Sequence, residues 1–254
     1  MGRRLKRKTV SLLLVVMFVL TTIFPLGVLA DTAAAQPFTV TLLGTSDLHG
    51  QLMGWNYFTK SAATGLTRVA TLIAQERATH PNNILVDAGD TIQGTPLVYY
   101  YNKVNTAWMT DSAQNYPMID AFKALKYDAW TLGNHEFNFG LGVLGPIIDK
   151  AKAANIAVLS ANTLDTSAAV KDPLTGDQPV WSKVKPYTLK TLKDPDGNDF
   201  TVAILGLTTP AIPNWESPQN YADLQFADIV TQGTKWVQYL KNDPRDLKLM
   251  RLSL

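Results

Sequence analysis

The chain has 254 residues, of which 46% are apolar and 17% charged, enough to bury a substantial core in one large domain or two small ones. It contains no cysteine, which excludes disulfides, thiolate metal sites and a cysteine nucleophile. The formal charge of +2 comes from the N-terminus: five of the 23 basic residues lie in Met1–Thr9, and without them the balance is 18 − 21 = −3. A mildly acidic remainder gives no basic groove for a nucleic-acid polymer.

Residues 1–30 read as an export signal. "GRRLKRK" supplies the positive segment, "VSLLLVVMFVL" the apolar one, and Val28-Leu29-Ala30 a small-residue cleavage site after Pro25. The alternative is an uncleaved anchor, since residues 9–29 are long enough to span a bilayer. The polar "DTAAAQ" that follows favours cleavage, with no stable membrane span afterwards and an exported, secreted, periplasmic or cell-wall-associated product. Residues 31–37 then serve as a linker, and 38–254 carry the domain.

"FTVTLLGTS" (38–46) predicts a strand, and "GLTRVATLIAQERATH" (65–80) an amphipathic helix with Leu66, Val69, Ala70 and Ile73 on one face. "NNILVDAGD" (82–90) predicts a short strand running into a turn, and "YPMIDAFKALKY" (116–127) a helix. "AWTLGNHE" is a strand entering a loop, "LGVLGPIIDKAKAAN" is helical near its end, and "IAVLSAN" is a buried strand. This alternation predicts an α/β sheet with both faces covered. "WSKVKPYTLKTL" predicts an edge strand joined through the turn "DPDGN" to "FTVAILGL", and a helix is expected near 223–241.

Three polar clusters each follow the C-terminal end of an apolar strand. They are "SDLHG" with Asp47 and His49, "DAGD" with Asp90, and "GNHE" with Asn134 and His135. Ligands of open α/β sheets gather outside those strand ends. Carboxylates and imidazoles suit zinc, manganese or iron, and a carboxylate such as Asp90 has two oxygens with which to bridge two ions. Each cluster alone is common in proteins; three in this order carry the signal.

D-x-H, G-D and G-N-H-E in this order resemble the signature of the calcineurin-like metallophosphoesterases. "LLGTSDLHGQLMGWNYF", "VDAGDTIQGTPL", "TLGNHEFNFGL" and "LSANT" resemble the secreted nucleotidase branch, in particular 2′,3′-cyclic-nucleotide 2′-phosphodiesterase/3′-nucleotidases. The resemblance covers roughly residues 38–240. It implies an α/β/β/α sandwich, incomplete on its C-terminal side, and water-driven attack on the phosphorus of a nucleotide or cyclic nucleotide assisted by two divalent ions. It implies Asp47 and His49 on the first ion, Asp90 bridging, and Asn134 on the second. His135 then faces the phosphate as the catalytic group, so that substrate binding falls to Asn134 and His135. Asn138 stands where the 5′-nucleotidase branch commonly has Asp, and so favours the cyclic-phosphodiesterase branch.

The family pattern also has later histidines and a C-terminal nucleotide-binding domain. This chain has only His49, His80 and His135 and ends in "LKLMRLSL", which predicts a shortened product. A 5′-nucleotidase and a non-catalytic fragment remain the alternatives. His80 reads as a surface residue at a helix end, Asp87 as a support or turn residue, and Glu136 as a loop-orienting residue. Trp130, Trp215 and Tyr99–Tyr101 read as packing.

Overall fold

The computed structural model describes residues 38–243 and 248–250, apart from Tyr57, Ala63, Pro173 and Leu174, and for 248–250 it gives the backbone alone. The export signal and linker expected over residues 1–37 lie outside the described residues, as do 251–254. Among the described residues, no helix is long and apolar enough to cross a membrane.

Strand β1 (Thr41–Thr45) opens the fold, followed by the two-residue strands β2 (Trp55–Asn56) and β3 (Ser61–Ala62). Helix α1 (Leu66–Thr79) leads to β4 (Asn83–Asp87), α2 (Pro96–Lys103), α3 (Pro117–Leu125) and β5 (Ala129–Thr131). Helix α4 (Leu141–Ala153) and strands β6 (Ala157–Leu159) and β7 (Thr163–Asp165) follow. Then come β8 (Tyr187–Lys193), β9 (Asp199–Leu205), β10 (Leu224–Phe226), α5 (Ile229–Lys241) and β11 (Lys248–Met250).

Two sheets form the centre. One is parallel throughout, in the order β1-β4-β5-β6. The other runs β11-β9-β8, with β8 antiparallel and β11 parallel to β9. Period-two alternation sorts the side chains. Leu85, Trp130 and Val158 point to the helix-side core with Ile73, Phe122 and Ile148. Their neighbours Ile84, Val86, Ala129 and Leu159 meet Leu192, Val202 and Ile204 of the second sheet. The outer face of that sheet, with Ala203 and Leu205, is covered by Leu240 and Trp236 of α5. The layers are therefore helix, sheet, sheet, helix, the sandwich that the resemblance implied.

Local chemistry sets the boundaries. Pro96 and Pro117 open α2 and α3 at positions whose N–H would have no helical partner. Asp228 caps α5, its side chain accepting a hydrogen bond from the Thr231 amide at 2.8 Å. The hairpin of β8 and β9 forms around Asp194–Asn198 as expected, and β8 is the edge strand of its sheet. The helix expected near 223–241 needs correction: Leu224–Phe226 is a strand paired with β7, and the helix begins at Ile229. α2 was not anticipated.

Candidate metal centre

β1, β4 and β5 are parallel neighbours, so the loops after Thr45, Asp87 and Thr131 leave the sheet at one end. The backbone ties them together there. The Asp47 amide donates to the Gly89 carbonyl at 3.0 Å and the His49 amide to the Asp90 carbonyl at 2.8 Å. The His135 amide donates to Asp90 Oδ1, also at 2.8 Å. Gly89 takes φ +105°, and a Cβ there would meet the Gly133 nitrogen at 2.3 Å. A Cβ on Gly133 would meet Asp90 Oδ1 at 2.4 Å. The two glycines let the second and third loops touch.

This packing forces unusual backbone. Asp47, His49 and Asp90 all lie in the left-handed region, at φ 52°, 47° and 59°. Non-glycine residues held this way cost on the order of 1–3 kcal/mol each and cluster at functional sites.

The result is a converging donor set. A ring nitrogen of His49, one of His135 and a carboxylate oxygen of Asp90 lie within 4.8 Å of one another. Asp47 Oδ1 lies 3.8 Å from His49 Nε2, and its side chain is exposed. Asn134 lines the wall of an adjoining cavity of about 490 Å³ with Ser46, Gly133 and Thr208. The structure thus places His135, read from the sequence as a catalytic group, as near to His49 and Asp90 as a ligand would be. Asn134 lines a cavity that also touches Val86 and Ile204 of the two facing sheets.

Hydrogen bonds fix both imidazoles. His49 Nδ1 lies 2.9 Å from the Gln93 carbonyl, which can only accept. The ring therefore carries its proton on Nδ1 and offers the Nε2 lone pair, the arrangement that orients a metal-binding histidine. His135 Nδ1 lies 2.6 Å from Asn138 Oδ1, leaving Nε2 as its free ring nitrogen.

Two buried carboxylates support the loops. Glu136 accepts hydrogen bonds from the amides of Asp90, Thr91 and Gly133 at 2.7–2.8 Å, confirming its expected part in orienting the loop. Burial pushes its pKa up to about 8, against the lowering effect of those amides. Asp87 accepts from the Thr45 hydroxyl at 2.6 Å, the Thr91 hydroxyl at 2.8 Å and the Gly89 amide at 3.0 Å. Burial raises its pKa to about 7.

The remaining sequence readings resolve simply. His80 is exposed at the end of α1, and Trp130 is buried in the helix-side core. Tyr99, Tyr100 and Trp215 are exposed. Among the contacts not read from the sequence is Glu216, which accepts a hydrogen bond from Asn138 Nδ2. No local signal marks it, because its partner lies 78 positions away.

Oxygen and imidazole donors converging on one point, with no thiolate in the chain, fit a divalent cation of borderline or hard character. The calcineurin-like phosphoesterase family matches residues 40–227. The chain is 34% identical over 224 residues to the trifunctional nucleotide phosphoesterase protein YfkN of Bacillus subtilis, an alignment covering 86% of this chain and 14% of that protein. It is 32% identical to a 2′,3′-cyclic-nucleotide 2′-phosphodiesterase/3′-nucleotidase of Haemophilus influenzae, covering 81% of this chain and 30% of that one. The crystal structure of calcineurin-like phosphoesterase YfkN from Bacillus subtilis superposes with a TM-score of 0.69 at 33% identity, covering 82% of this chain and 60% of that chain. The chain therefore spans less than a third of the length of these curated relatives. It belongs to the calcineurin-like phosphoesterases, a family of metal-dependent phosphoester hydrolases.

Proposed function

We propose that this chain carries the centre of an exported phosphoesterase that opens 2′,3′-cyclic nucleotides and removes the resulting 3′-phosphate. The observation that supports it most is the meeting of His49, Asp90 and His135 within 4.8 Å on three strand-end loops. Asp47, His49 and Asp90 would hold one divalent ion, and Asp90 with Asn134 a second, each zinc, manganese or iron. Bound there, two such ions supply Lewis acidity and neutralise charge on a phosphoryl group under in-line attack.

The protein's own residues do the rest. Asp90 has one oxygen committed to the His135 amide, which fixes the carboxylate plane. His135 keeps Nδ1–H on Asn138 Oδ1 and so presents Nε2, which, when the ring carries a second proton there, stabilises the phosphate and gives that proton to the leaving oxygen. Glu136 fixes the second and third loops relative to each other, so that reacting groups are placed before substrate arrives.

Two further points bear on substrate and location. Asn138 beside His135 supports the cyclic-phosphodiesterase branch, because an amide adds no charge there. The basic and apolar composition of residues 1–30 supports export.

The test is phosphate release from 2′,3′-cyclic AMP, 3′-AMP and 5′-AMP in the presence of manganese. Turnover of the first two is expected. Hydrolysis of 5′-AMP alone would make the site a 5′-nucleotidase. No turnover of any substrate would leave metal or phosphate binding without catalysis as the reading. Export is checked by mass spectrometry of the secreted protein's N-terminus, expected at Asp31; an intact Met1 would contradict cleavage.

A further inference from the structure

Behind His135 stands a chain of polar groups that the reaction outlined above does not use. Asn138 Oδ1 meets His135 Nδ1 at 2.6 Å, and Asn138 Nδ2 donates to Glu216 Oε1. The other oxygen, Glu216 Oε2, accepts from Asn220 Nδ2 at 2.9 Å, and the same Nδ2 lies 3.3 Å from the Asn138 carbonyl. The Glu216 amide donates to the Ile212 carbonyl at 3.0 Å, and Ile212 is fully buried, so this segment is anchored in the core.

Among the described residues, no lysine or arginine forms an ion pair with Glu216. A half-buried glutamate usually has water or a cation as partner. This one spends its two oxygens on two side-chain amides, one of which touches His135.

The donor and acceptor rules then run in one direction. An ionised carboxylate only accepts, so it takes the NH₂ end of Asn138. The oxygen end of Asn138 must then turn to His135, and an amide oxygen also only accepts. The imidazole must therefore carry a proton on Nδ1, which leaves the Nε2 lone pair exposed in the neutral ring. Without Glu216, either end of Asn138 can face His135, and an NH₂ facing Nδ1 forces the opposite tautomer.

We propose that Glu216 is a positioning residue that, acting through Asn138, fixes His135 in its Nδ1–H tautomer. In this chain the carboxylate stands one side chain behind the histidine instead of beside it. Its catalytic consequence rests on the phosphoesterase reading above; the tautomer itself does not.

Long-range ¹H–¹⁵N correlation spectra of the full chain, recorded without metal, distinguish a ring N–H from a ring lone pair. The wild type is expected to show His135 with its proton on Nδ1. Glu216→Gln keeps an acceptor oxygen for Asn138 Nδ2 if Asn220 turns over, and should retain that pattern. Glu216→Ala should give a mixture. Glu216→Lys, which can only donate, should invert the pattern to Nε2–H. The site is partly exposed, and thermal melts identify which variants are folded.

A folded Lys or Ala variant with the wild-type tautomer overturns the proposal, as does a wild type with its proton on Nε2. On bis-p-nitrophenyl phosphate with manganese, Glu216→Lys should lower kcat at least tenfold and leave KM within about twofold, with Glu216→Gln near wild type. A tautomer shift in a protein whose wild type hydrolyses nothing would support the positioning role and sink the phosphoesterase reading. An unshifted tautomer in an active enzyme would do the reverse.

Discussion

At the scale of single residues, the site depends on two carboxylates whose surroundings oppose their charge. Glu136 is fully buried and is the acceptor for three amides from the two loops beside it. Glu136→Ala would leave these donors unpaired, at roughly 1–3 kcal/mol each. Urea denaturation should therefore show a loss of about 3 kcal/mol or more on that scale. Asp87 allows a pH test. Its pKa rises from 3.8 to about 7 on folding, mainly through burial. Between those values the folded chain binds more protons than the unfolded one, so this contribution to stability is lost as pH rises through the window. Asp87→Asn mimics the protonated form and removes that dependence. Between about pH 5 and pH 8 the wild-type Tm should fall about 5 °C further than that of the variant. Parallel melting curves would contradict the assignment.

The residue scale also shows what sequence could reach. Asp47, His49, Asp90 and Asn134 stood out as candidates because each follows an apolar strand within about four positions of its end. The support for His49 did not, since Gln93 enters through a backbone carbonyl that any residue could supply. Glu216 was hidden for another reason: its partner Asn138 comes from a different loop, and only folding joins them.

At the scale of elements, loop geometry brings the candidate ligands together. Gly89 holds φ +105° against the Gly133 backbone. Gly89→Ala adds a Cβ where the two loops touch and strains a conformation that alanine rarely adopts. Asp90 and Asn134 should separate, lowering manganese affinity by about tenfold or more in titration calorimetry; wild-type affinity would show that the close approach is dispensable. Strands β4 and β5 were readable as apolar runs ending in turns. Helix α2 was not, because "LVYYYN" combines β-branched and aromatic residues that favour a strand by propensity. Pro96 and packing of Val98 in the core decide for helix. Leu224–Phe226 misled in the opposite sense: three residues preceding a true helix pair with β7 instead.

At the scale of the whole molecule, two sheets face each other and share Ile84, Val86, Leu192, Val202 and Ile204. Strand pairing holds β1, β4 and β5 in register, and with them the three loops. Ile84→Ala should cost about 2–5 kcal/mol through lost burial and a residual cavity. Because the loops ride on these strands, metal affinity should fall with stability. A covered α/β sheet was legible from the alternation of strands and helices, whereas the second sheet stacked on it was implied by the family resemblance alone, since periodicity says which face is apolar and not what covers it.

Three strand-end loops are proposed to form a metal-dependent phosphoester-cleaving centre with His135 acting on the phosphate. Hydrolysis of bis-p-nitrophenyl phosphate with manganese, comparing wild type with His135→Ala, tests it most directly. The predicted result is turnover abolished by chelator and lowered about 100-fold or more by the substitution. Equal rates for the two proteins, or a rate indifferent to metal, would contradict it.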